Sequence, residues 1–135
     1  ELQAAFLRAK LPRLEAWNVR RGVLACRYFE QLQGIEALTL PHVPDWARPV
    51  WHLFVVRTVR REALQQHLTA HGVGTQIHYP IPPHLSQAYA GAGWKRGDFP
   101  LAETLADEVL SLPIGPHTTA EQVDYVCAQV RSFFG

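Results

Sequence analysis

The chain has 135 residues, with 13 basic and 12 acidic side chains for a formal charge of +1, and it is 47% apolar and 19% charged. That length suits one domain, that composition excludes a disordered chain or a coiled coil, and so small a charge supplies no field for steering onto nucleic acid or an anionic membrane. The only cysteines, Cys26 and Cys127, lack CxxC spacing and indicate neither a disulfide framework nor a zinc site, which fits a reducing cytoplasm, and no apolar run approaches the roughly 20 residues of a membrane span.

Leu2, Ala5, Phe6 and Ala9, then Leu14, Trp17, Leu24, Tyr28 and Leu32, lay an apolar stripe along a long amphipathic helix. Pro12 removes one hydrogen bond and predicts a kink or break near Arg8 to Pro12, and the helix is expected to end before Gly34. The sequence contains no Met, and residue 1 falls inside this helical pattern, so the chain is expected to be a piece of something longer. Three prolines in Leu40 to Pro49 predict an irregular connection.

Trp51 to Thr58, β-branched and aromatic, is the strongest strand signal, apolar enough that both faces are expected to be covered. Arg60 to Ala70 reads as a helix stopped by His71-Gly72, and Gly74 to Tyr79 as a second strand ended by Pro80, Pro82 and Pro83. His84 to Tyr89 suits a short helical turn before the loop Ala90 to Gly97. Pro100 opens a helix through Leu110, and Leu110 to Ile114 is a short third strand. Thr118-Thr-Ala-Glu121 has capping-box spacing and starts a final helix whose Val123, Val126, Cys127, Val130 and Phe134 face inward. The fold class expected is α+β: a small, three-stranded, mainly antiparallel sheet with helices packed on one face and a long, kinked N-terminal helix.

The residues alone leave the site open. The seven histidines are read as carrying no metal site, the cysteines as small buried hydrophobes rather than nucleophiles, and the glycines at 91, 93 and 97 as a plain loop, with no strand before them to form a phosphate cradle. Gly74 to His84 is the one segment built for more than packing. Its prolines fix the backbone beside His78, Tyr79 and His84, making either a binding lip or a tight loop whose imidazoles cap backbone groups. Trp51 and His52 open the neighbouring strand as core edge or as site wall.

Leu2-Gln-Ala-Ala5, Lys10-Leu-Pro12, Trp17-Asn18 with Arg20-Arg21, Trp51 to Arg57, Gly72 to Thr75, Ile77-His-Tyr-Pro80, Pro83-His84, Phe99-Pro100 with Ala102-Glu103, and Leu110-Ser-Leu-Pro113 follow one another in a familiar order. Over nearly the whole length they resemble the DegT/DnrJ/StrS family of pyridoxal-phosphate-dependent nucleotide-sugar aminotransferases. The wording around His78 to His84, Ala88-Tyr89 and Gly97 to Pro100 is most similar to members that aminate the 3-position of dTDP-linked 3-keto-6-deoxyhexoses.

The resemblance implies that residues 1–135 are the C-terminal small domain of a fold-type I transferase, cut from the large domain that carries the Schiff-base lysine and binds pyridoxal phosphate. No catalytic, cofactor-binding or metal-binding residue is then expected in this chain, and the chain alone is expected to be inactive. A Schiff-base lysine needs desolvation or a neighbouring cation, and only Lys10 and Lys95 occur here. By carry-over, His78, Tyr79 and His84, with His52 on the same wall, would bind substrate at the cleft. The resemblance further implies glutamate and a nucleotide-linked keto sugar as substrates, a homodimer, and a cytoplasmic enzyme without nucleic-acid or membrane partners. The competing reading is a stand-alone small-ligand-binding or regulatory module.

Overall fold

A nine-residue helix, α1 (Leu2–Lys10), passes through a 3-10 turn at Leu11–Arg13 into α2 (Leu14–Leu32) in the computed structural model, which describes residues 1–135. Pro12 lacks the N–H that a continuous helix would use, so the backbone tightens there while Leu11 and Arg13 keep right-handed helical angles. The long helix therefore kinks where the proline predicts, and α2 ends before Gly34, whose φ of 82° suits the chain reversal. The remaining elements are β1 (Phe54–Arg57), α3 (Arg61–Ala70), α4 (Pro100–Glu108), β2 (Val109–Leu112) and α5 (Ala120–Phe134).

The sheet has two strands, not three. β1 and β2 pair antiparallel, with Phe54 opposite Leu112, Val55 opposite Ser111, Val56 opposite Leu110 and Arg57 opposite Val109. The expected strand at Gly74 to Tyr79 contributes only one bridge, Gln76 to Ser111, closed by two backbone bonds of 2.9 and 3.2 Å. On the Gly74 side it cannot lengthen, because the residue opposite is Pro113, which donates no N–H. On the opposite edge Thr39 makes a similar single bridge to Arg57. The strand expected over Trp51 to Thr58 is four residues long. Phe54 and Val56 are buried, Val55 and Arg57 half-buried, so one face alone is fully covered.

The core lies between that buried face and α2, α3 and α5. Tyr28 and Leu32 from α2, Phe54 and Val56 from β1, Leu64 and Leu68 from α3, Leu110 from β2, and Val123, Cys127 and Val130 from α5 are all 0% exposed. Tyr28 stacks on Phe54 with centroids 4.7 Å apart, and its hydroxyl donates to the Pro113 carbonyl at 2.7 Å, so the one polar atom of this large side chain is paired. Burial pushes that phenol well above its usual range. Outside the core, Asp124 on α5 accepts from Arg27 and, at 2.6 Å, from Gln31, joining α5 to α2. The capping box of α5 uses Thr119 and Gln122 rather than the pair one residue earlier: the Thr119 hydroxyl accepts from Gln122 N–H and the Gln122 side chain from Thr119 N–H.

One part of the molecule has no core of its own. No residue of α1 is buried, and Leu2, Phe6, Leu7 and Leu11 are 61–71% exposed. The whole chain exposes 9402 Å². A compact monomer of 15.2 kDa exposes roughly 7,100 Å², so about 2,300 Å² more faces solvent than a self-contained globule of this mass would show.

Candidate functional site

β2 and the lip segment that bridges to it form the floor of a shallow cleft of about 230 Å³, with His52 from the approach to β1 on one side and His78 on the other. Gln76 and Ser111 hold the floor together through their backbone bridge. The buried Ser111 side chain then meets His78, its Oγ 3.0 Å from the imidazole Nδ1. Thr75, also in the cleft, receives a hydrogen bond from the Gln65 amide of α3 at 3.3 Å. Two of the four residues singled out in the sequence, His52 and His78, thus share one cleft and leave ring nitrogens free of protein partners.

The other two lie elsewhere. Tyr79 is 77% exposed and outside the cleft. His84 is buried, and its Nε2 lies 2.9 Å from Oε1 of Glu103 on α4. The same carboxylate accepts from Gly97 N–H at 2.8 and 3.0 Å and from Phe99 N–H at 3.4 Å. Desolvation pushes the Glu103 carboxyl upward, but the bonds from Gly97 N–H, His84 and Phe99 N–H outweigh it and hold the group below the usual carboxylate range. Gly97 has φ of 98°, a left-handed angle that frees its N–H to point at the carboxylate with no side chain in the way.

Around this clamp the rings of His84 and Phe99 lie 4.7 Å apart, Phe99 and Trp94 5.7 Å, and Trp94 and Tyr89 5.8 Å. The loop from Ala90 to Gly97, a plain loop by sequence, thus sets Trp94 between the flanking rings of Tyr89 and Phe99 and is tied to the lip through Glu103. Ser111 and Glu103 were legible as letters of a family pattern, yet nothing in spacing or periodicity marked them as partners of the lip histidines.

His67 and His71 do have the HxxxH spacing that a metal site can use. Their rings stack at 4.3 Å, and each spends one nitrogen on a backbone carbonyl: His67 Nε2 on Gln129 at 3.1 Å and His71 Nδ1 on His67 at 2.8 Å. No group of three or more His, Cys, Asp or Glu side chains stands close enough together to hold a metal.

The sequence profile of the DegT/DnrJ/EryC1/StrS aminotransferase family matches residues 1–131. Among curated proteins, the erythromycin biosynthesis sensory transduction protein EryC1 of Saccharopolyspora erythraea is 54% identical over 98% of this chain and 36% of its own length. The dTDP-3-amino-3,4,6-trideoxy-alpha-D-glucose transaminase of Streptomyces venezuelae is 49% identical over 98% of this chain and 35% of its own. Among solved structures, S. venezuelae DesV in complex with a ketimine intermediate superposes with a TM-score of 0.94 at 49% identity, over 97% of this chain and 35% of that one. NtdA of Bacillus subtilis with bound cofactor PMP superposes with a TM-score of 0.75 at 28% identity, over 88% of this chain and 28% of that one. The chain thus spans about a third of the length of the relatives it matches.

Tested as a host for pyridoxal phosphate, the residues present do not fit. Lys10 on α1 and Lys95 in the loop before α4 are both exposed, and neither has the desolvated or cation-flanked setting that a Schiff-base amine needs.

Proposed function

This chain belongs to the DegT/DnrJ/EryC1/StrS aminotransferase family, and we propose on that premise that residues 1–135 are the C-terminal small domain of a pyridoxal-phosphate-dependent sugar aminotransferase. The whole enzyme moves an amino group from glutamate to a dTDP-linked keto sugar, works as a homodimer and resides in the cytoplasm. The observation that carries this reading is the surplus of about 2,300 Å² of exposed surface, concentrated in part on the unpartnered apolar face of α1. A free-standing binding module has no use for such a face, whereas a small domain seats it against a larger one. The 49% identity to a dTDP-sugar transaminase over 98% of the chain supports the substrate class. No helix is long and apolar enough to cross a membrane.

In this role the chain supplies a wall, not the reacting group. His78 and His52 face the substrate from the cleft and hold its polar groups. Tyr79, exposed outside the cleft, offers its hydroxyl to the substrate from the lip. His84 works from behind, through Glu103, to keep the loop before α4 against the lip. Pyridoxal phosphate, bound by the large domain, supplies the electron sink that amino transfer requires.

Two experiments test the reading. The chain is fused behind the first two-thirds of the S. venezuelae relative, with that relative rebuilt from its own two parts as control, and amino transfer from glutamate to a dTDP-linked 3-keto sugar is followed. Activity is expected in both fusions; an inert fusion beside an active control refutes the assignment. In the second, the chain alone is incubated with pyridoxal phosphate and reduced with borohydride. A stable adduct specific to Lys10 or Lys95 contradicts the small-domain assignment, because it would place the cofactor chemistry in this chain.

A further inference from the structure

Helix α3 begins against the usual preferences. Its N-cap is Arg60 and its first residue Arg61, two cations at the end where the backbone dipole already presents positive charge, and no side chain caps it. Thr58 takes up the first two amides: its Oγ1 accepts from Arg60 N–H and its carbonyl from Arg61 N–H, each at 3.2 Å. The next two, Glu62 N–H and Ala63 N–H, find no acceptor in the protein. The Arg61 side chain is 9% exposed and is poorly matched as well. Nη1 donates to the Ala106 carbonyl at 3.3 Å, Nη2 lies 3.8 Å from the Glu62 carboxylate, beyond hydrogen-bond reach, and the buried Nε has no partner. A buried guanidinium is costly unless an anion answers it.

These unpaired donors belong to residues that line one cavity of about 520 Å³, walled by Arg60, Arg61, Glu62, Ala63 and Gln66 and by Asp107 of α4. We infer that the cavity at the start of α3 is a site for a phosphate-type oxyanion, held by the Glu62 and Ala63 N–H groups and by the Arg61 guanidinium. Free amides in the first turn of a helix grip a tetrahedral oxyanion, and the planar fork of arginine suits its oxygens. The Arg60 guanidinium lies over the Phe133 ring, 4.2 Å from its centroid, which keeps a second positive charge at the helix start. The two carboxylates on the cavity do not close it. The Glu62 and Asp107 side chains are 81% and 61% exposed, and their ion pairs, 3.8 Å to Arg61 and 3.7 Å to Arg96, are too long for hydrogen bonds, so both turn to solvent at little cost. A bound anion completes the cap of α3 and, through Arg61 and the Ala106 carbonyl, ties that helix to α4. The inference goes beyond the aminotransferase reading and does not draw on it: the cavity shares no lining residue with the cleft beside the lip.

The test is an amide NMR titration of this 135-residue chain with sodium phosphate at neutral pH, against sodium chloride at matched ionic strength. The Glu62 and Ala63 amides are expected to shift and saturate in low-millimolar phosphate and to stay still in chloride. Sodium sulfate, tetrahedral and doubly charged, should compete. Arg61→Gln should weaken phosphate binding about tenfold, and Glu62→Gln, which removes the nearest negative charge, should tighten it about threefold. Arg60→Asp places an accepting carboxylate at the N-cap, so it should keep the fold and abolish the phosphate response.

Amide spectra of each variant verify that the fold is retained, and if Arg61→Gln fails to fold, Arg60→Asp decides. The inference is overturned by the absence of a saturable shift at about 50 mM phosphate, by an equal response to chloride, or by unchanged phosphate binding in a folded Arg60→Asp or Arg61→Gln chain. Acetate saturating the same amides at lower concentration than phosphate also overturns it, and gives the cavity to a carboxylate side chain of another protein surface.

Discussion

The unpartnered face of α1 should make this chain associate with itself, and the effect can be reversed at two positions. Leu7 and Leu11 lie one turn apart, 68% and 66% exposed, on a groove of about 550 Å³ that also takes in Leu14 and Trp17. Burying a leucine side chain is worth about 1.5 to 3 kcal/mol. Against an association cost of at least ~4 kcal/mol, the exposed leucines and Phe6 sustain contact only at raised protein concentration. Replacing both residues, Leu7→Glu with Leu11→Glu, removes ~3 kcal/mol and adds two like charges, which lowers the association constant by more than a hundredfold. The fold should not notice, because α1 has no buried residue and exposed substitutions stay within about 0.5 kcal/mol. Sedimentation velocity over a concentration series reads the association, and thermal unfolding reads the fold. A native chain that stays monomeric throughout, or a double variant that associates as before, refutes the claim that this face seeks a partner.

Three further outcomes follow from single groups. Arg27, with Gln31, lowers the Asp124 carboxyl to about 2, so the stability it contributes is complete above an unfolded carboxylate's range near 4 and is lost as pH falls from there towards 2; Asp124→Asn should flatten the acid limb of the denaturation midpoint over that window. Burial, with Asp124 nearby, pushes the Cys127 thiol up to about 12, while Cys26 is exposed, so a thiol reagent at neutral pH should label one cysteine per native chain and two in denaturant. Equal rates for the two would refute the packing of α5. Glu103→Ala should speed hydrogen exchange at the Gly97 and Phe99 amides and leave the Gln76 and Ser111 amides unchanged.

Sequence reasoning reached the helices and the proline kink because each depends on chemistry local to a few residues: apolar periodicity, a missing N–H, a glycine at positive φ. It placed an extra strand at Gly74 to Tyr79 because alternation shows only that a segment can pair, not how long its partner is. Pro113 blocks pairing on the Gly74 side of the Gln76 bridge, while toward His78 the lip leaves Leu110 and Val109 unpaired on that edge of β2. It also took the apolar run from Trp51 to Thr58 as covered on both faces, whereas Val55 and Arg57 are half-buried. The capping box moved by one residue because Thr118 and Thr119 offer the same hydroxyl at adjacent positions, and the geometry of Gln122 decides between them.

At the site, the resemblance transferred positions but not surroundings, and His84 shows what that omits. It ends the proline run that Tyr79 precedes, yet one is buried and the other exposed, because Glu103 reaches His84 from a helix 19 residues further on. If His84 serves the clamp rather than a ligand, its energetics are those of Glu103. Removing Glu103 leaves the buried imidazole unpaired, and removing His84 costs the carboxylate one bond while Gly97 and Phe99 still hold it, so the shared bond is lost only once in the double variant. The destabilisation of His84→Ala with Glu103→Ala should therefore fall well short of the two single effects added together, whereas His84→Ala with His52→Ala, residues that share no partner, should add. Urea denaturation of the four variants and the native chain measures both cycles. Additivity in the first cycle would mean that the carboxylate holds the loop without the imidazole, leaving His84 free for substrate after all.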